Sequence, residues 1–179
     1  MMTTTANPQR FSAAALARPS TDAGFDRGTV IVNDAAIGLP EVGRCHGAGH
    51  RVIVAGDDSV QMSLAEIVLP GADRVWANLR RSSELCRLRA QLGRAGGCAG
   101  LVLVARDGSR AQGLTLMQVM LALLPLVAGA SGRVLLVVPQ GAGLAAVTDF
   151  VCRIGPTLQA RGVSVDLRAG PDQAGAGSR

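Results

Sequence analysis

The chain of 179 residues contains no tyrosine and no lysine. A phenol acting as general acid, a Schiff-base amine and a P-loop lysine are therefore all excluded. Aromatic residues are scarce: only Phe11, Phe25, Trp76 and Phe150 occur, too few for a platform on which bases could stack. All eighteen basic residues are arginines, Arg80-Arg81 being the one adjacent pair, so the net charge of +5 is dispersed rather than gathered into a phosphate-binding groove. Nucleic acid is not an expected partner. There is no Cys-x-x-Cys pair among Cys45, Cys86, Cys98 and Cys152 and no secretory h-region, which points to reduced thiols in a cytoplasm. Cys45-His46-Gly-Ala-Gly-His50 is too rich in glycine to hold both imidazoles on one helix face, and reads as a surface turn without a metal.

What is present is a regular alternation of apolar runs and helix-period segments. Residues 1–28 are rich in Thr, Ser, Ala and Pro without a sustained apolar period and read as a disordered tail, as do residues 171–179. Between them, 29–170 read as one α/β domain. Strands are expected at Thr29–Val32, Arg51–Ala55, Arg74–Ala77, Gly100–Val104, Gly132–Val138 and Val163–Ala169. Helices are expected at 61–69, from Ser82 or Ser83 to Leu92, at 114–127 and at 145–158, with a possible short one after Asn33. Strands of continuous Val, Leu and Ile alternating with helices indicate a parallel sheet of about six strands with both faces covered, a single three-layer domain. The segment 114–127 is apolar nearly all round but short for a bilayer, so burial on a sheet is expected in preference to insertion.

The segment 132–170 is a βαβ unit. In such units ligands bind at the carboxyl ends of the strands, yet the loop here, Pro139-Gln140-Gly-Ala-Gly-Leu144, holds no acid, base or nucleophile.

In order and spacing, Thr29 to Gly170 resembles the short-chain dehydrogenase/reductase (SDR) family. Val30-Ile-Val-Asn-Asp-Ala-Ala-Ile-Gly-Leu-Pro40 is similar to its first strand and glycine-rich turn, and Ala99-Gly-Leu-Val-Leu-Val-Ala-Arg-Asp-Gly108 to its fourth strand and Asn-Asn-Ala-Gly ending. Leu123-Leu-Pro125 with Gly132 to Val138 resembles its fourth helix and fifth strand, and Ala145 to Val165 its fifth helix and sixth strand. The resemblance implies a Rossmann fold lacking the final strand and the substrate-covering loops.

The same resemblance implies that the functional positions are lost. Of the turn glycines only Gly38 remains; Asp34 stands at the first and Pro40 at the last, setting a carboxylate against a pyrophosphate and removing a peptide N–H. Gly56 or Asp57 falls at the ribose-binding acid, Asn78 at the acid near the adenine, and Ala105 and Arg106 at the paired asparagines. Gln140 takes the place of the catalytic tyrosine and Leu144 that of the lysine, with Pro139 near the serine and Gln112 near the helix-four asparagine. Glutamine and leucine supply neither proton nor charge. Gly38 and Asn78 are then the cofactor-binding remnants, no residue is catalytic, and no cofactor is expected.

One reading is a non-catalytic, cytoplasmic subunit that forms a homo-dimer, or a hetero-oligomer with an active SDR subunit, through helices 114–127 and 145–158, the pair that meets across a two-fold axis in the family. The alternative for those helices is that they only cover their own sheet. A second reading is an NAD(P)-dependent oxidoreductase with an atypical site, whose candidate acids near the strand ends are Asp34, Asp57, Asp107 and His50. A gene product with no selected role is a third.

Overall fold

The computed structural model describes residues 28–94, 96–127 and 132–170; the two expected tails, apart from Gly28, lie outside them. Six strands, β1 (Thr29–Asn33), β2 (Arg51–Gly56), β3 (Asp73–Trp76), β4 (Gly100–Val104), β5 (Gly132–Pro139) and β6 (Val163–Gly170), form one parallel sheet in the order β3-β2-β1-β4-β5-β6. Five α-helices connect them: α1 (Pro40–Gly47), α2 (Ser59–Val68), α3 (Ser82–Arg94), α4 (Arg110–Val127) and α5 (Ala142–Gln159). The strand order reverses between β1 and β4, so the crevice where such sheets take ligands lies beyond Asn33 and Val104.

Alternation along the strands splits the core in two. Val30, Val32, Val52, Val54 and Val102 pack under α1 and α2, whereas Ile31, Ile53, Leu101, Leu103 and Leu136 pack under α3, α4 and α5. The helix starts have identifiable causes. Pro40 occupies the first turn of α1, and the Asp58 carboxylate accepts from the N–H groups of Val60 and Gln61 at 3.0 and 3.1 Å to cap α2. Helices α4 and α5 begin four and three residues earlier than the apolar periodicity alone indicates; the Ser109 hydroxyl caps α4 by accepting from the Gln112 N–H at 3.3 Å, and Gly113 and Gly143 sit where the two helices cross. β3 lies one residue earlier than expected, with Ala77 buried just after it.

One expectation needs correction. Cys45 and His46 do not lie in a surface turn: they form the last turn of α1, with Cys45 in the core and its thiol pushed up by burial. The sheet has helices on both faces, as expected, with a polar patch at its β6 edge. On β6, Ser164, Asp166 and Arg168 share the α1 side of the sheet with Arg133 of β5. That side is dressed with ion pairs, Arg133 to Asp166 at 2.7 Å and Arg168 to Glu41 of α1.

α4 is long and apolar enough to cross a membrane by length and composition, and one third of it is buried here. Leu116, Val119, Met120 and Leu123 face the sheet, as the sequence leads one to expect.

Candidate functional site

At the end of β1, the Asn33 side chain pairs with the backbone of Val104. Its amide donates to the Val104 carbonyl at 2.8 Å, and its carbonyl accepts from the Val104 N–H at 2.9 Å. The side chain thus acts as one more rung of the sheet where β1 and β4 would otherwise part, and ties the strand-order reversal shut.

Asp34 follows, and its side chain is nearly fully buried. One carboxylate oxygen accepts from Arg106 at 2.9 Å and from the Asp58 N–H at 3.1 Å, and the other guanidinium nitrogen of Arg106 donates to the Asp58 carboxylate at 2.9 Å. Gly56 is required beneath this cluster, because a Cβ there would overlap the Asp34 carboxylate. Asp34 is therefore not the unpaired charge at an open site that the sequence implies. Arg106, 72 residues away in the chain, pairs with it and with Asp58. Burial pushes the Arg106 guanidinium down, but the Asp34 and Asp58 carboxylates outweigh it and hold the group above its ordinary value. The α1 N-terminus beside this turn is also taken: Pro40 offers no N–H, and Glu41 in the first turn pairs with Arg168 and Arg44.

The Asp58 carboxyl is held below its ordinary value of 3.8, first by the Gln61 N–H and then by Arg106 and the Val60 N–H. For Glu41, burial pushes the carboxyl up, but hydrogen bonding and the Arg168 charge leave it below 4.5. A carboxyl depressed on folding contributes stability above its unfolded value and loses that contribution as pH falls through its folded value. Stability should therefore decline below about pH 4.5. The Asp58→Asn and Glu41→Gln variants should each show a shallower decline in urea melts taken between neutral and acidic pH.

Beyond Asn33 lies a cavity of about 220 Å³, bounded by Asp57, Asn78, Arg80, Arg106, Gln112 and Thr115 over apolar walls of Leu103 and Leu116. Asn78 is held in place, its carbonyl accepting from the Arg80 N–H at 3.0 Å and its own N–H donating to Glu84 at 2.7 Å. The cavity brings together four of the positions singled out in the sequence, Asp57, Asn78, Arg106 and Gln112.

The others lie elsewhere. Gly38 is exposed, and a Cβ on it would meet nothing within 4 Å, so no close approach requires a glycine there. His50 is at the amino end of β2, its ring against the Gly28 backbone, at the opposite end of the sheet from the carboxyl ends of the strands. Asp107 folds onto its own turn, held below its ordinary value by Ser109. Among the described residues, no group of three or more His, Cys, Asp or Glu is placed to hold a metal ion.

Gln140 and Leu144 flank a close backbone contact. The Gly143 N–H donates to the Gly108 carbonyl at 2.9 Å, joining the loop after β4 to the loop after β5. A Cβ on Gly108 would overlap the Gln140 carbonyl, and one on Gly143 the Ser109 carbonyl; one on Gly113 would come within 2.9 Å of the Gly143 backbone. Gly141 adopts φ 145°, a conformation that side chains disfavour. These glycines let the loop after β4 and the first turns of α4 and α5 press backbone on backbone beside Gln140. Asn33 and the glycine set were not readable as site residues, and the resemblance gives Arg106 only as a lost asparagine, without its partner. For Arg106 a signal existed: an acid at the first turn glycine and a cation after the fourth strand are a compensating pair.

No family model matches the sequence, and no curated protein matches it. Solved structures do match in fold. A short-chain oxidoreductase from Pseudomonas aeruginosa PAO1, described as containing an atypical catalytic center, superposes with a TM-score of 0.65 at 20% identity, over 75% of this chain and 66% of that one. Serine dehydrogenase from Escherichia coli gives 0.56 at 18% identity, over 80% and 82%. BdcA, from E. coli and also solved in complex with NADPH, gives 0.63 at 15% identity, over 83% and 84%. The chain thus has the Rossmann-like fold of short-chain dehydrogenases/reductases, with a six-stranded sheet.

Proposed function

We propose that this protein is a non-catalytic relative of NAD(P)-dependent short-chain dehydrogenases/reductases that serves in the cytoplasm as an oligomerisation subunit, with a second copy of itself or with an active SDR subunit. The observation that carries the non-catalytic part is the glycine-mediated closure of the two loops after β4 and β5, with Gln140 and Leu144 beside it and neither tyrosine nor lysine in the chain. The occupied turn at Asp34 supports the absence of a cofactor.

The oligomeric part rests on α4 and α5. Leu114 and Leu121 stand about half exposed on α4, two turns apart, and Phe150, Val151 and Ile154 of α5 are only partly covered. Helices that merely covered their own sheet would turn polar on that side. Leu121→Glu should halve the mass measured by light scattering while leaving the circular dichroism spectrum unchanged. An unaltered mass would remove α4 from the interface.

A second reading has one observation in its favour: a structural neighbour is described as an oxidoreductase with an atypical catalytic center. On that reading the acid would be Asp57, since Asp34 is buried in its ion pair, Asp107 is engaged with its own turn and His50 is at the far end of the sheet. NADPH oxidation that depends on Asp57 would establish it.

A further inference from the structure

α2 carries an apolar surface on two opposite sides. Met62, Ala65 and Leu69 lie against the sheet. At 100° per residue, Val60, Leu64, Ile67 and Val68 centre on the side diametrically away from it, with Val60 and Ile67 72% and 77% exposed. Sheet alternation sets Trp76, also exposed, on this side of β3, next to Arg74, whose guanidinium bonds Glu66 of α2 at 2.8 Å. A helix that needed only its own sheet would be polar on the outside.

We propose that this stripe is a two-fold interface with a second copy of the chain, with α2 packed antiparallel on α2 of the partner copy. Two features select a second copy. The spacing Val60, Leu64, Val68 is symmetric about Leu64, so an antiparallel pair centred there sets Leu64 on its own equivalent and each Val60 near the other copy's Val68. Rows four apart are also the ridges that interlock in the commonest helix packing. The stripe itself bears no charge; Glu66 is paired with Arg74, and Asp58 at the Val60 end with Arg106, within each copy, so no unpaired like charges meet near the axis. The exposed apolar side chains amount to on the order of 500 Å², a fitting apolar centre for an interface of about 800 Å² per partner.

This surface lies on the face of the sheet opposite α4 and α5, and the two interfaces are independent. In a Cys86→Ser/Cys152→Ser background, Leu64→Cys should cross-link to a covalent dimer under mild oxidation, at least tenfold faster than Gln61→Cys, which sits about 60° round the helix and, in an antiparallel pair centred on Leu64, about 9 Å along the axis from its own equivalent. Ile67→Glu should halve the mass measured by light scattering, with circular dichroism confirming the fold, and should do so whether or not Leu121→Glu has any effect. Equal cross-linking at positions 61 and 64, a mass unchanged by Ile67→Glu, or a parent protein that is monomeric at high concentration would each overturn the proposal.

Discussion

Gly108→Ala should destabilise the protein by about 4 kcal/mol or more, the range reached when a substitution forces apart groups that have no room to yield. The added methyl would overlap the Gln140 backbone carbonyl, and the Gly143 N–H bond to the Gly108 carbonyl holds the two loops at that separation. A flexible side chain could swing aside; a carbonyl held between β5 and α5 cannot. The melting temperature should fall by about 10–15 °C. Gly38→Ala is the matched control, since a Cβ there meets nothing within 4 Å, and it should stay within about 0.5 kcal/mol of the parent. If instead the loops parted to admit the methyl at little cost, the contact would be a loose one, and a substrate could enter there too.

The second large effect is at Arg106. Its removal by Arg106→Ala leaves the Asp34 carboxylate, 5% exposed, without its cation. Breaking a fully buried pair from one side costs about 3–5 kcal/mol, and because the Arg106 side chain is 41% exposed, water softens this to about 2–3 kcal/mol. The double variant Asp34→Ala/Arg106→Ala should recover part of the loss, with a coupling of about 1–2 kcal/mol in denaturant melts. Strict additivity would mean that the two side chains do not depend on each other.

The sheet was legible in the sequence because each central strand is an unbroken run of β-branched and leucine residues, and because glycine or proline breaks most of the connections. The absence of the family's tyrosine and lysine was legible too, since neither residue occurs in the chain. The contacts made at the strand ends were not. Asn33 reads as an ordinary turn residue until Val104 is beside it, and Asp34 reads as a repulsive charge until Arg106 reaches it from the next strand. Gly108, Gly113, Gly141 and Gly143 follow no period, and their meaning lies in a contact between two loops that only the tertiary fold creates. α2 is too short for its apolar residues to be sorted by sequence alone into a side that meets the sheet and a side that does not. His50 was misplaced for a related reason: its position before β2 decides which end of the sheet it occupies, and a strand's neighbours at either end look alike until the strand's direction is fixed.

On the proposed function, the protein's own side chains occupy the place where this fold binds dinucleotides. Isothermal titration with millimolar NADH and NADPH, paired with melting curves in their presence, tests this most directly. The closed turn at Asp34, Arg106 and Asp58 predicts no binding heat and no rise in melting temperature. A saturable heat accompanied by a rise of several degrees, as a ligand well above its dissociation constant must produce, would contradict it.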